Sequence, residues 1–241
     1  MRPVLLLVHG WGFDATFWDP LRDALAGPDG IETLAWNLGF RGVPSMPVPP
    51  PGRPLVAVGH SLGFLWLLTQ CPRETLGRPS NGPWGRPWDR LVAINGFPRF
   101  TAASDFPAGV APRLLDRMIA RFDQAPREVY RDFMVRCGSG EPGCDGLDPP
   151  RLMEGLRGLR HWDGRGRMAG LGEVSLVLAG THDPIVPEPM SRAAFPARDI
   201  AWHDGGHLLP SQDPVWCAGH LRRLCLTLEE IGPAPAAPGE G

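Results

Sequence analysis

The chain has 241 residues, 43% of them hydrophobic, and a formal net charge of −2. That is enough apolar material for one compact domain with a sizeable core, and the near-neutral balance excludes a broad nucleic-acid or membrane-surface binder, which needs a basic excess. All 24 cationic residues are Arg, and the 29 Pro and 31 Gly are scattered as turns rather than gathered into a linker.

The first element is the apolar run Val4–Val8. It is too short for a leader segment and lacks a small-residue cleavage site, and no stretch of the chain approaches the ~20 apolar residues of a membrane span. A cytoplasmic protein is therefore expected. The five cysteines are odd in number and contain no C-x-x-C pair. They read as reduced thiols, with a Cys137–Cys144 bridge as the less favoured alternative. Val4–Val8 is continuous rather than alternating, as in a strand buried on both faces, and it ends in His9-Gly10-Trp11-Gly12. A helix is expected over Ala15–Ala26, with Asp14 as N-cap. A weaker strand follows at Glu32–Trp36.

Leu55–Val58 is the second continuous run and ends in Gly59-His60-Ser61-Leu62-Gly63. Leu62–Cys71 then reads as a buried helix and Gly77–Trp88 as a loop. A third run, Leu91–Ile94, ends in Asn95-Gly96. From about Ser104 to Gly172 the strand–helix rhythm breaks. Leu114, Leu115, Met118, Ile119 and Phe122 follow helical spacing, as do Val129, Tyr130, Phe133 and Met134, and a third helix is expected over Leu152–Leu159. The rhythm returns with Ser175–Leu178, which ends in Gly180-Thr181-His182-Asp183. A weaker strand at Ile200–His203 and a last helix over Pro214–Leu228 follow. The expected division is a core of residues 1–103 and 173–231, a helical cap over 104–172 and a disordered Pro/Ala/Gly tail over 232–241.

This pattern predicts an α/β fold: a mostly parallel central sheet flanked by helices, with a small helical cap. Ligands of such sheets bind outside the carboxyl ends of the strands, where the polar residues of this chain gather. Gly59-His60-Ser61-Leu62-Gly63 is a G-x-S-x-G pattern in strand–turn–helix context, which makes Ser61 the candidate nucleophile. A serine hydroxyl needs a base. Of the 7 histidines, His207 alone lies in a flexible loop beyond the last strand, Asp204-Gly205-Gly206-His207. Asp183, after a late strand, is the candidate acid that orients it, and the order Ser, Asp, His is the one such sheets use. Asp105 and, more remotely, Asp204 are the alternatives. Two N–H donors for a developing oxyanion are expected from Trp11 and Leu62. No metal or organic cofactor is required.

These motifs make the chain resemble the α/β-hydrolase superfamily from Val4 to Leu228. Within it, the His-Gly-Trp-Gly loop, the short cap and Ile94-Asn95-Gly96-Phe97 are similar to the pimeloyl-[acyl-carrier protein] methyl ester esterases of biotin synthesis. The resemblance implies that Ser61, Asp183 and His207 form the triad and that Trp11 contributes to the oxyanion site. It implies that Phe100 and Phe133, with Trp11, line an acyl channel, and that cap arginines face an acyl carrier protein. Arg113, Arg117 and Arg121, spaced four apart on one helical face, are the candidates, with the apolar residues from Leu114 to Phe122 packing on the opposite side. Two departures stand out. The antiparallel strands that usually precede the His-Gly strand do not precede Val4 here, so either a trimmed sheet or a misassigned start codon is expected. The usual Asp-x-x-Gly-x-Gly is replaced by Trp36-Asn37-Leu38-Gly39-Phe40-Arg41-Gly42.

The expected function is a serine carboxylester hydrolase working through an acyl-enzyme on an ester with an apolar acyl chain, with the carrier-protein methyl ester as its specific form. The alternatives are thioesterase, C–C hydrolase or haloperoxidase-like activity on the same triad, and, more remotely, a non-catalytic binding protein on this scaffold.

Overall fold

The computed structural model describes residues 1–27, 30–71, 88–140, 143–170, 174–196 and 198–231. In chain order the elements are β1 (Val4–Val8), a 3-10 turn (Ala15–Trp18) running into α1 (Asp19–Leu25), β2 (Glu32–Trp36), β3 (Leu55–His60), α2 (Leu62–Thr69) and β4 (Arg90–Ile94). Then come α3 (Pro112–Phe122), α4 (Pro126–Cys137), α5 (Pro149–His161), α6 (Arg165–Gly170), β5 (Val174–Gly180), α7 (Glu188–Ala194), β6 (Ile200–His203), α8 (Leu209–Gln212) and α9 (Pro214–Ile231). The expected loop over Gly77–Trp88, except its last residue, and the expected tail over 232–241 lie outside the described residues.

The six strands form one sheet in the order β2-β1-β3-β4-β5-β6, and every neighbouring pair is parallel. The central strands β1 and β3 are buried at every position, as a sheet covered on both faces requires. The edge strands β2 and β6 are only half-buried, which is why their sequences carry the weaker apolar signal. The chain leaves β1 in one direction to make β2, then returns to the other side of β1 to make β3. The strand order therefore reverses at the carboxyl ends of β1 and β3, and a crevice opens at such a reversal.

Two helical expectations are corrected. The stretch Ala15–Ala26 is not one helix but a 3-10 turn followed by α1, with Pro20 in the first turn of the new helix. Asp14 does cap it: its side chain accepts from the Thr16 N–H at 2.9 Å. In α3, Leu115 and Phe122 are buried and Met118 and Ile119 pack against the core, but Leu114 is 45% exposed. At 3.6 residues per turn Leu114 falls beside Arg121 and Arg117 on the helix surface, at the rim of the apolar stripe rather than in it.

Candidate active site

The chain passes from β3 into α2 through Ser61, whose φ of +52° and ψ of −123° lie outside the regions open to most side chains. The flanking glycines make this turn possible by close approach. A Cβ at Gly59 would lie 2.3 Å from the Phe64 Cα, and one at Gly63 would lie 2.1 Å from the Val8 carbonyl oxygen. Any larger residue at either position would drive α2 away from β1 and β3. The Ser61 N–H donates to the Ile94 carbonyl at 3.1 Å, so the turn is fixed to the end of β4.

Asp183 follows β5 and is fully buried at its side chain. Its Oδ1 accepts from the backbone N–H groups of Ile185 at 2.7 Å and Val186 at 2.9 Å, and its Oδ2 takes the Nδ1–H of His207 at 2.7 Å. Three donors satisfy the carboxylate without any cationic side chain. In the neutral ring this bond fixes the tautomer, because a carboxylate only accepts: the proton sits on Nδ1, which leaves Nε2 as the acceptor. That Nε2 is buried with no hydrogen-bond partner in the structure, so its lone pair is unspent. No Ser61 Oγ bond to it is formed here, and such contacts commonly tighten only when substrate is present. The two alternative acids lie elsewhere. Asp105 is 65% exposed and pairs with Arg165 at 3.0 Å. Asp204 is 89% exposed and pairs with His182 at 2.9 Å.

Leu62 is the first residue of α2, where N–H groups have no acceptor within the helix. The Trp11 N–H lies in the turn after β1 and, among the described residues, also has no protein acceptor. The Trp11 side chain is buried, and its Nε1–H donates to the Leu152 carbonyl of α5 at 2.8 Å. Its ring meets Phe133 of α4 edge-on at 4.9 Å. Phe133 thus stands beside the turn, whereas Phe100 is buried and packs on Phe97 at 4.8 Å. Arg117 and Arg121 line a groove of about 260 Å³ between α3 and α4, with Met118, Val129, Phe133 and Arg136. Arg113 is exposed and does not line it. Arg121 is engaged by Asp132 at 2.6 Å and Glu128 at 3.0 Å, so the three arginines do not present three equal free charges.

Two buried polar residues given no chemical role by sequence reasoning stand in the same cluster. Asn95, at the end of β4, has a positive φ of +45°, which among the described non-glycine residues it shares with Ser61. His60 stacks on Phe17 with centroids 4.5 Å apart and lies 4.8 Å from the His207 ring. Burial, then the neighbouring His207, holds His60 well below the ordinary imidazole range. His9 is likewise pushed down by burial; its Nδ1–H donates to the Gly10 carbonyl, and its Nε2 accepts from the Leu38 N–H. The signal for Asn95 was an amide side chain at the end of an apolar strand, at a position where Asn tolerates left-handed backbone.

No family model matches the chain. It is 25% identical over 216 residues to the biotin biosynthesis bifunctional protein BioHC of Cellvibrio japonicus (strain Ueda107), covering 77% of this chain but only 39% of that longer protein. It is 28% identical, over an alignment of 278 positions with gaps, to the pimeloyl-[acyl-carrier protein] methyl ester esterase of Stenotrophomonas maltophilia (strain R551-3), covering 99% of this chain and 96% of that one. Among solved structures, an esterase from Exiguobacterium antarcticum superposes with a TM-score of 0.73 at 14% identity, covering 94% of this chain and 92% of that one. The chain has the α/β-hydrolase fold, and in sequence it is similar to the pimeloyl-[acyl-carrier protein] methyl ester esterases.

Proposed function

We propose that the chain is a serine carboxylester hydrolase in which Ser61 is the nucleophile, His207 the general base and Asp183 the acid that orients it. The observation that carries this reading is the strained Ser61 turn standing over the same sheet edge as a buried Asp183–His207 pair whose Nε2 is bare. The Ser61 Oγ attacks the ester carbonyl carbon as its proton passes to His207 Nε2. The N–H groups of Trp11 and Leu62 hold the negative oxygen of the tetrahedral intermediate. The intermediate collapses, the C–O bond to the alcohol breaks, and the alcohol leaves with the proton from Nε2. Water then attacks the acyl-enzyme, gives its proton to Nε2, and the second collapse releases the acid and returns the proton to Ser61. No step calls for a metal or organic cofactor.

The substrate reading is an ester of an apolar acyl chain attached to an acyl carrier protein, in the cytoplasm. It rests on the similarity to the pimeloyl-[acyl-carrier protein] methyl ester esterases and on the groove between α3 and α4. That groove is lined by Met118, Val129 and Phe133 together with Arg117, Arg121, Arg136 and one acid, Asp132, and Phe133 also meets Trp11. The helices of residues 104–172 are the cap in this reading, with Phe133 and Phe100 along the acyl path. Guanidinium groups suit both the carboxylates and the phosphate of a carrier protein. Arg117 beside the groove is the first candidate contact, with Arg113 exposed on the same helical face and Arg121 partly occupied by its acidic partners.

A fluorophosphonate label followed by peptide mapping tests the nucleophile: modification at Ser61, and its loss in Ser61→Ala, is expected. A hydrolysis screen over short esters, long acyl esters, thioesters and carrier-protein esters tests the substrate. Turnover of carrier-protein methyl esters above p-nitrophenyl acetate is expected; a preference for thioesters would move the chain to the thioesterases.

A further inference from the structure

The Asp183 contact fixes only one point of the His207 imidazole. The ring sits on Asp204-Gly205-Gly206-His207, a loop whose two glycines bring no side-chain packing of their own. The His60 ring packs 4.8 Å from that of His207 and the His182 N–H holds the Gly205 carbonyl at 3.0 Å, but neither fixes the His207 peptide that carries the ring. The structure supplies the missing restraint on the other side of the residue. The His207 backbone carbonyl accepts from His60 Nε2 at 2.9 Å and from Asn95 Nδ2 at 2.8 Å. Both donors are almost wholly buried. Two donors use both lone pairs of that oxygen, so the peptide is fixed in two directions.

Both side chains are themselves anchored to the frame that holds the nucleophile. His60 is the last residue of β3 and the immediate neighbour of Ser61. Asn95 follows Ile94, whose carbonyl receives the Ser61 N–H. Its own N–H donates to Leu178 of β5 at 2.8 Å, its Oδ1 accepts from the Gly180 N–H at 2.9 Å, and its Nδ2 also reaches the Gly206 carbonyl at 3.0 Å. A single amide thus ties together the end of β4, the end of β5 and the histidine loop. The positive φ at Asn95 places that amide there, a conformation Asn adopts at less cost than most residues.

We propose that His60 and Asn95 are positioning residues: they clamp the His207 carbonyl and so register the base against Ser61. This rests on the triad reading above. A displacement of about 1 Å in a reacting group costs roughly 100-fold in rate, so loss of either donor should act on kcat and leave substrate binding alone.

The test uses the purified full chain with three variants. Asn95→Asp keeps the shape, the left-handed backbone and the acceptor for Gly180, but turns the donor toward His207 into an acceptor. His60→Leu removes the second donor, and His60→Gln restores an amide N–H near the place of Nε2. For each, kcat and KM on a p-nitrophenyl ester, the rate of fluorophosphonate labelling at Ser61, and Tm are measured. Asn95→Asp and His60→Leu are expected to lose about 10- to 100-fold in kcat and labelling rate with KM unchanged, and His60→Gln to regain most of what His60→Leu loses. Folded variants with wild-type kcat would overturn the clamp, as would equal activity of His60→Gln and His60→Leu, a comparison that stands even if Asn95→Asp fails to fold. A wild-type protein that takes no label at Ser61 would instead overturn the triad reading itself.

Discussion

Asp183 and Asp163 each collect several hydrogen bonds, yet their surroundings differ completely. Asp183, at the carboxyl edge of the sheet, is bound by two backbone N–H groups and one imidazole. Asp163, between α5 and α6, is bound by the guanidinium groups of Arg99 and Arg165 at the surface. The Arg165 guanidinium beside it holds its carboxyl far below the usual carboxylate range. The same contrast runs through both regions. Among the helices from α3 to α6, carboxylates meet arginines: Asp116 with Arg160, Asp132 and Glu128 with Arg121. Charge there is quenched, and such pairs orient helices without leaving a reactive atom. At the sheet edge the partners are neutral, and the chain of bonds ends on a bare imidazole nitrogen. His60 Nδ1 and His203 Nδ1 are also buried without a partner, so what supports the proposed role of His207 is its place against His60 beside the Ser61 turn, not the bare nitrogen alone.

The largest effect that follows is in turnover. Asp183→Asn should cost about four orders of magnitude in kcat, because an amide can present its NH2 to Nδ1 and leave the imidazole in the wrong tautomer. Asp105→Asn and Asp163→Asn, although they remove carboxylate–arginine ion pairs, should leave hydrolysis of a small ester near wild type. Steady-state kinetics on the three variants decides it, and a larger loss from Asp105→Asn would relocate the acid to the end of β4.

The sheet edge was far more legible in the sequence than the helical segment, for a physical reason. Strands covered on both faces leave continuous apolar runs, and the turns at their ends need glycine, so Val4–Val8 and the Gly59–Gly63 turn can be read directly. Asp183 and His207 follow from chain order once Ser61 is placed. Asn95 and the His60 contact do not, because their partners are backbone carbonyls, which leave no trace in the side-chain sequence. In the helical segment periodicity located α3, α4 and α5, but not which arginines are free. Arg121 belongs on the exposed face by spacing alone; only the packing of α4 beside α3 shows Glu128 and Asp132 closing on it.

Trp11 joins the two regions, and disconnecting it should give the next largest effect. Trp11→Phe keeps much of the packing against Phe133 and Tyr130 but removes the indole donor to the Leu152 carbonyl, which keeps its place in the α5 ladder. Loss of one such hydrogen bond costs about 0.5–1.5 kcal/mol. If the α5 contact holds the Trp11 N–H in place for the oxyanion, kcat falls along with Tm. A fall in Tm alone would mean that the bond serves only the packing of α5.

The two regions should also separate in acid. His9 and His60 are held below the ordinary imidazole value by burial, so the unfolded chain binds more protons than the folded one as pH drops below about 6.5. Their contribution is complete above that pH and is lost progressively below it. Chemical denaturation from pH 8 to 4.5 should show a plateau and then a decline. His9→Gln, which retains an acceptor for the Leu38 N–H but has no proton to gain, should flatten that decline.

Asp163 should act in a different window and more weakly. Its folded-state value is depressed, so its contribution is present above the unfolded carboxyl value of about 4 and disappears as pH falls toward the depressed value. The group is about one-third exposed, and water screens such pairs to about 1 kcal/mol or less. Yet Arg99 lies shortly after β4 and Arg165 opens α6, so the cluster pins both ends of the helical segment to each other. Asp163→Asn should therefore lower stability by a small amount that is constant from pH 7 to 5, starts to shrink near pH 4 and is gone only as pH approaches the depressed folded-state value. Urea midpoints of wild type and variant across that range test it. A difference that instead closes near pH 6.5 would place the cluster under the control of the buried histidines, and the separation of the two regions would fail.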